Sequence, residues 1–158
     1  MKAYKDSNST IKILFLCHGN ICRSTMAEFI FKDLVEKAGL SDVFVIDSAA
    51  TSSEEIGSDV YPPARRKLEE KGVFCGHHRA RRLTPEDYDK WDYIILMDEE
   101  NLRGLKRIIP GDSKGKVSML MSWAGEDSDV ADPWYTGDFE TTYRDVLKGC
   151  TALLARIC

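Results

Sequence analysis

The chain has 158 residues, enough for one domain with a sizeable buried core. It is 43% hydrophobic and 30% charged, and no apolar run approaches the ~20 residues of a membrane-spanning helix. A net charge of −4 argues against general nucleic-acid binding, which needs a basic surface.

Residues 1–10, MKAYKDSNST, are polar and carry no apolar signal core. They are expected to form a flexible lead-in to a single domain over 11–158, with the protein placed in the cytoplasm and off the membrane. The five cysteines are an odd number, and without an export signal they do not suggest a disulfide framework.

Residues 11–17, IKILFLC, form a nearly continuous apolar run, the pattern of a strand buried on both faces. A helix follows over 24–38, with Met26, Ala27, Ile30, Phe31, Leu34, Val35 and Ala38 at helical period and Gly39 as its C-terminal cap. Residues 43–47 read as a second strand. Pro62 and Pro63 open a helix that Gly72 stops. Thr84 caps a short helix with Pro85 at its first position, leading into a strand at 92–97. A helix at 99–107, a strand at 116–121, a polar loop at 122–138 and a last helix from Phe139 complete the chain. Strands alternating with helices predict an α/β domain with a parallel sheet covered on both faces. Ligands of such folds bind beyond the carboxyl ends of the strands.

The stretch LFLCHGNICRST, residues 14–25, lies at such an end. Cys17 and Arg23 are separated by five residues and followed by Ser24. A loop entering a helix turns unpaired N–H groups inward, and curled around one point they form a nest for phosphate-like oxygens. Gly19 lets the backbone curl. Arg23 adds a planar fork for two phosphate oxygens. The same positive surroundings favour a thiolate at Cys17, the nucleophilic form. Ser24 can donate to the sulfur, and Asn20 can hold the loop through side-chain bonds to the backbone.

A thiolate attacking a phosphate ester needs a general acid for the leaving group. The 122–138 loop offers Asp132, followed by Pro133, Trp134 and Tyr135. The two aromatics suit the wall of a slot for a flat ring. A zinc reading of Cys17, Cys22, His18, His77 and His78 lacks a second compact ligand pair. GDSKGK at 111–116 has three residues between its glycines, not the four of a nucleotide P-loop.

LCHGNICRS at 16–24 and DPWY at 132–135 together resemble the low-molecular-weight protein tyrosine phosphatases. The likeness extends to DSAATSSEEIG at 47–57, HRARRLT at 78–84 and YIILMDEENL at 93–102. The resemblance implies one α/β domain with a central four-stranded parallel sheet. It implies Cys17 as nucleophile, Arg23 as clamp and Asp132 as acid then base, with the phosphate held over the loop His18, Gly19, Asn20, Ile21, Cys22 and Arg23. Supporting bonds are implied from Asn20, Ser24, Ser48 and His78, and no metal or other cofactor is implied. Phosphotyrosine proteins or peptides are the implied partners, for a monomer or weak dimer.

His18 and Glu54 stand where many relatives have an apolar residue and an aromatic, respectively, which bears on substrate choice. Ile21 is expected to line the slot and resembles the tyrosine-specific branch, where a phosphoarginine branch carries threonine. Cys22 is expected to act as a redox partner of Cys17. The cluster Arg65, Arg66, Lys67, Arg79, Arg81 and Arg82 either steers acidic peptides or is a solvated face. Arsenate reduction on the same scaffold would need a relay of nearby cysteines, which Cys75 lacks. A phosphotyrosine-binding module without turnover would not need the full set of Cys17, Arg23 and Asp132.

Overall fold

The computed structural model describes residues 10–158. The expected lead-in therefore lies almost wholly outside the described residues.

The first strand, β1 (Ile11–Cys17), sends Ile13, Phe15 and Cys17 to one face and Leu14 and Leu16 to the other. All are buried, which is why the run is apolar without alternation. With β2 (Phe44–Ala50), β3 (Tyr93–Leu96) and β4 (Val117–Met119) it forms a parallel sheet in the order β2-β1-β3-β4.

Helices cover both faces, as expected. On one lie α1 (Arg23–Lys37), α2 (Pro62–Glu70), the short α5 (Leu120–Trp123) and α7 (Phe139–Ile157). Phe15, Phe31 and Phe44 pack edge to face there, with centroids 5.8 and 5.4 Å apart. The apolar stripe of α7 buries Val146, Cys150, Leu153 and Ile157 against them. On the other face α3 (Asp87–Lys90) and α4 (Glu99–Ile108) bury Tyr88, Trp91, Leu105 and Ile109. A short helix, α6 (Pro133–Thr136), precedes α7.

Three elements differ from expectation. The apolar stretch 116–121 is strand only over Val117–Met119, and Leu120 already begins α5. Thr84 does not cap a helix; its N–H and hydroxyl both donate to Asp87, whose carboxylate also takes two bonds from Arg81. Strand β2 runs three residues past Asp47, which sets Ser48 beside Phe15 and Ala50 beside Cys17.

The chain reverses its direction of growth across the sheet between β1 and β3. Such a switch point opens a crevice at the carboxyl ends of the two strands. Cys17 closes β1 there, and Asp98 follows β3.

Candidate active site

The loop after Cys17 owes its shape to its carbonyls. Cys17 O accepts from Thr51 N, and His18 O from both the N–H and the hydroxyl of Ser52. Asn20 O is bonded to His78 Nε2 at 2.7 Å, and Ile21 O accepts from Tyr61 N. Cys22 O takes Met26 N and the Thr25 hydroxyl. In a trans peptide the C=O and the following N–H point opposite ways. Carbonyls tied outward therefore turn the N–H groups of His18, Gly19, Ile21, Cys22 and Arg23 toward the centre of the loop, a nest for an oxyanion.

Asn20 makes this possible. It is fully buried and, among the described residues, is the only non-glycine with positive φ, +60°. Its amide donates to Ser24 Oγ and Ser48 Oγ, both at 2.9 Å, and accepts from Arg81 N. The Ser48 hydroxyl donates to Glu28, whose other oxygen meets Lys32 at 2.6 Å. Cys17 Sγ, 3% exposed, sits 3.0 Å from Ser24 Oγ and 3.4 Å from Ser24 N. Ser24, Ser48 and His78 thus bond to the loop or to the Cys17 sulfur.

Arg23 is the first residue of α1, and only 3% of its side chain is exposed. Its Nη1 donates to Asp98 at 2.6 Å and to Val130 O at 2.9 Å, and its Nη2 to Asp132 at 3.4 Å. Burial alone would favour the neutral form, but Cys17, Asp98 and Asp132 outweigh it and hold the charge. Breaking a buried pair of this kind costs about 3–5 kcal/mol, the lower end for Asp98, which keeps some solvent contact.

Asp98 was not anticipated. One of its oxygens caps α4 through Asn101 N while the other holds Arg23. Its sequence signal is an Asp three residues ahead of Asn101 at a helix start. Glu28 and the carbonyl of Val130 were likewise missed.

Asp132 caps α6, taking Trp134 N at 3.0 Å with one oxygen and Arg23 with the other. Pro133 is the first residue of that turn. Over Cys17 lies a slot whose walls include Ile21, Glu55, Asp132, Trp134 and Tyr135. Trp134 stands against Tyr61 at 4.7 Å between centroids and remains half exposed. His18 and Glu54, the two rim positions, form a pair at 2.9 Å. Cys22 also lines the slot; burial, with Cys17 and Asp132 beside it, pushes its thiol far above the ordinary range.

Half of the expected basic cluster is neutralised: Arg65 meets Asp59, Lys67 meets Glu70 and Glu140, and Arg81 meets Asp47 and Asp87. Among the described residues, no three His, Cys, Asp or Glu side chains are grouped to hold a metal ion.

A thiol beneath a ring of N–H groups, an arginine fork and a carboxylate at the mouth together define an oxyanion site on a parallel α/β scaffold. The family model of low molecular weight phosphotyrosine protein phosphatase matches residues 12–158. The chain is 39% identical over 150 residues to the low molecular weight protein-tyrosine-phosphatase YfkJ of Bacillus subtilis, covering 93% of this chain and 96% of that one. The crystal structure of YfkJ superposes with a TM-score of 0.90 over 96% of each chain. The low molecular weight phosphotyrosine protein phosphatase of Sus scrofa is 38% identical, over 94% of this chain and 96% of its own. A Drosophila arginine phosphatase is also similar, with 31% identity and a TM-score of 0.83 over 92% of this chain and 96% of that one. The chain belongs to the low molecular weight phosphotyrosine protein phosphatase family.

Proposed function

We propose that the protein hydrolyses phosphotyrosine in proteins and peptides, without a metal, through a phosphocysteine on Cys17. The observation that carries this is the loop after Cys17, whose carbonyls are bonded to Thr51, Ser52, Tyr61 and His78, with Ser24 N on the Cys17 sulfur and Arg23 held at the loop's end by Asp98. The phosphoryl oxygens take the loop N–H groups from His18 to Arg23, and the Arg23 fork spans two of them. Cys17 attacks phosphorus in line with the departing phenol oxygen, and Asp132 protonates that oxygen. Asp132 then removes a proton from water, which attacks the phosphocysteine and releases phosphate. Ser24, 3.0 Å from the sulfur, donates to the departing thiolate.

The lining by Ile21, Trp134 and Tyr135 suits the flat ring of the substrate. The similarity to an arginine phosphatase keeps phosphoarginine as a second reading, against which the apolar Ile21 side chain stands. All five cysteines are free thiols, which suits action in a reducing compartment, and no helix among the described residues is long and apolar enough to cross a membrane.

The test is release of phosphate from p-nitrophenyl phosphate, a phosphotyrosine peptide and a phosphoarginine peptide, with excess chelator present. Undiminished turnover of the first two, and at least tenfold less of the third, is expected. Turnover that stops with chelator or favours phosphoarginine would refute the reading.

Cys22 is proposed as the redox partner: a sulfenic acid on Cys17 would condense with it, losing water and leaving a disulfide that thiols reduce. After a peroxide pulse and dithiothreitol, the unaltered protein should regain most activity and Cys22→Ser much less. Equal recovery would exclude this role.

A further inference from the structure

Two cavities of similar size, about 110 and 130 Å³, meet at His18. The first is the slot over Cys17. The second is lined by His18 and Thr51 on one side and by Glu100, Arg103, Gly104 and Arg107 of α4 on the other.

Arg103 and Arg107 are exposed and four residues apart, so they share a face of the helix. Neither makes an ion pair or hydrogen bond among the described residues. Among the described residues, Lys32, Arg65, Lys71, Arg81 and Lys148 each meet a carboxylate, whereas Arg103 and Arg107, like Arg66, Arg79 and Arg82, do not. Two like charges at this spacing weaken a helix. The helix dipole accounts for Arg107 in the last turn of α4 but not for Arg103 in its middle.

The arginines are also held at a fixed place. A Cβ on Gly104 would come within 2.9 Å of Thr51 Cβ, so α4 rests directly on the segment after β2. Thr51 N in turn bonds Cys17 O. The wall of the second cavity is thus tied to the loop that binds phosphate. Across the slot stand Glu54 and Glu55, and Glu54 holds His18.

We propose that the Arg103–Arg107 depression is a subsite for a second anionic group, carboxylate or phosphate, carried by a residue near the phosphotyrosine in the substrate chain. The proposal rests on the phosphatase reading and gives its substrate class: acidic or multiply phosphorylated tyrosine peptides. Guanidinium forks suit both anions. Glu100 on the same wall opposes the incoming anion and limits the gain.

The experiment compares kcat/KM for three phosphotyrosine peptides, with neutral, glutamate or phosphoserine flanks, and for p-nitrophenyl phosphate, at low salt. The unaltered protein should favour both anionic peptides by about tenfold, chiefly through KM. Arg103→Ala/Arg107→Ala should reduce that ratio to about twofold or less, Arg103→Glu/Arg107→Glu should invert it, and neither should change p-nitrophenyl phosphate turnover. A preference for phosphoserine over glutamate would assign the subsite to phosphate; equal rates would assign it to anions generally. As a control, Arg66→Ala/Arg79→Ala removes two exposed cations outside both cavities. If it abolishes the preference equally, or if the first two variants keep it, the subsite is refuted in favour of the general field. No p-nitrophenyl phosphate turnover by the unaltered protein would refute the phosphatase reading itself, and the subsite with it.

Discussion

Cys17→Ser should lose about 10⁵-fold or more of turnover on p-nitrophenyl phosphate while keeping its fold and its affinity for inorganic phosphate. The substitution is nearly isosteric at a site with 3% exposure, so packing of β1 is undisturbed. The oxyanion nest depends on carbonyls bonded to Thr51, Ser52, Tyr61 and His78, and none of those bonds involves the sulfur. Arg23 likewise keeps Asp98 and Val130. What disappears is the proposed nucleophile: a serine hydroxyl here has no adjacent base to take its proton, since its neighbours are Ser24 Oγ and Ser24 N. Loss of a nucleophile from an intact site removes most of the rate enhancement and leaves binding. Calorimetry with phosphate and steady-state kinetics separate the two. Acid quenching during turnover should trap a labelled phosphoprotein from the unaltered chain and none from the variant. Retention of even 1% of kcat, or a label that persists on the serine variant, would place the nucleophile elsewhere.

Asp132→Ala should lower kcat by about 10²–10⁴ on phenyl phosphate and by markedly less on p-nitrophenyl phosphate. The difference follows from the leaving group. Phenolate is a strong enough base to need a proton as the P–O bond breaks, whereas nitrophenolate departs without one. Asp132 stands at the mouth of the slot with one oxygen 3.4 Å from Arg23 and the other capping α6. Its removal takes a negative charge from beside the phosphate site, so phosphate affinity should stay the same or rise. A helix cap is worth about 1 kcal/mol, so the fold should survive. Stopped-flow kinetics over a series of substituted phenyl phosphates provides the check. If all substrates slow by the same factor, Asp132 positions Arg23 and does not transfer the proton.

The strength of these expectations reflects what was readable along the chain. β1, α1 and α7 are marked by a two-faced apolar run and by helical stripes of seven or eight apolar residues, signals that tertiary context seldom overrides. The VSMLMS stretch was not decidable in the same way: a short apolar run serves a strand or a buried helix equally, and the chain uses it for both. Thr84-Pro85 carries a start signal for a helix, yet the Asp87 carboxylate recruits Thr84 and Arg81 and shifts the helix start to Asp87. At the site, Cys17, Arg23 and Asp132 were legible as candidates because the chemistry proposed for them is carried by side-chain type and spacing. Asp98 was legible only as a helix cap. Its second bond, to Arg23, spans 75 positions and has no local mark. Val130 contributes a carbonyl, which any residue could supply. The rim was legible as two unusual residues, His18 and Glu54, but not as a pair.

The carbonyls that shape the loop have a consequence for how the protein comes into being. The loop from His18 to Cys22 is short and local, but its ties reach residues 51, 52, 61, 78 and 81, and the arginine at its end reaches 98, 130 and 132. Each tie closes a large stretch of chain, at an entropic cost that only the completed sheet and its helices offset. A fragment ending before residue 132 would retain the cysteine and the arginine yet could not complete the arginine's surroundings. The site therefore depends on contacts drawn from much of the chain, and not on one local segment alone.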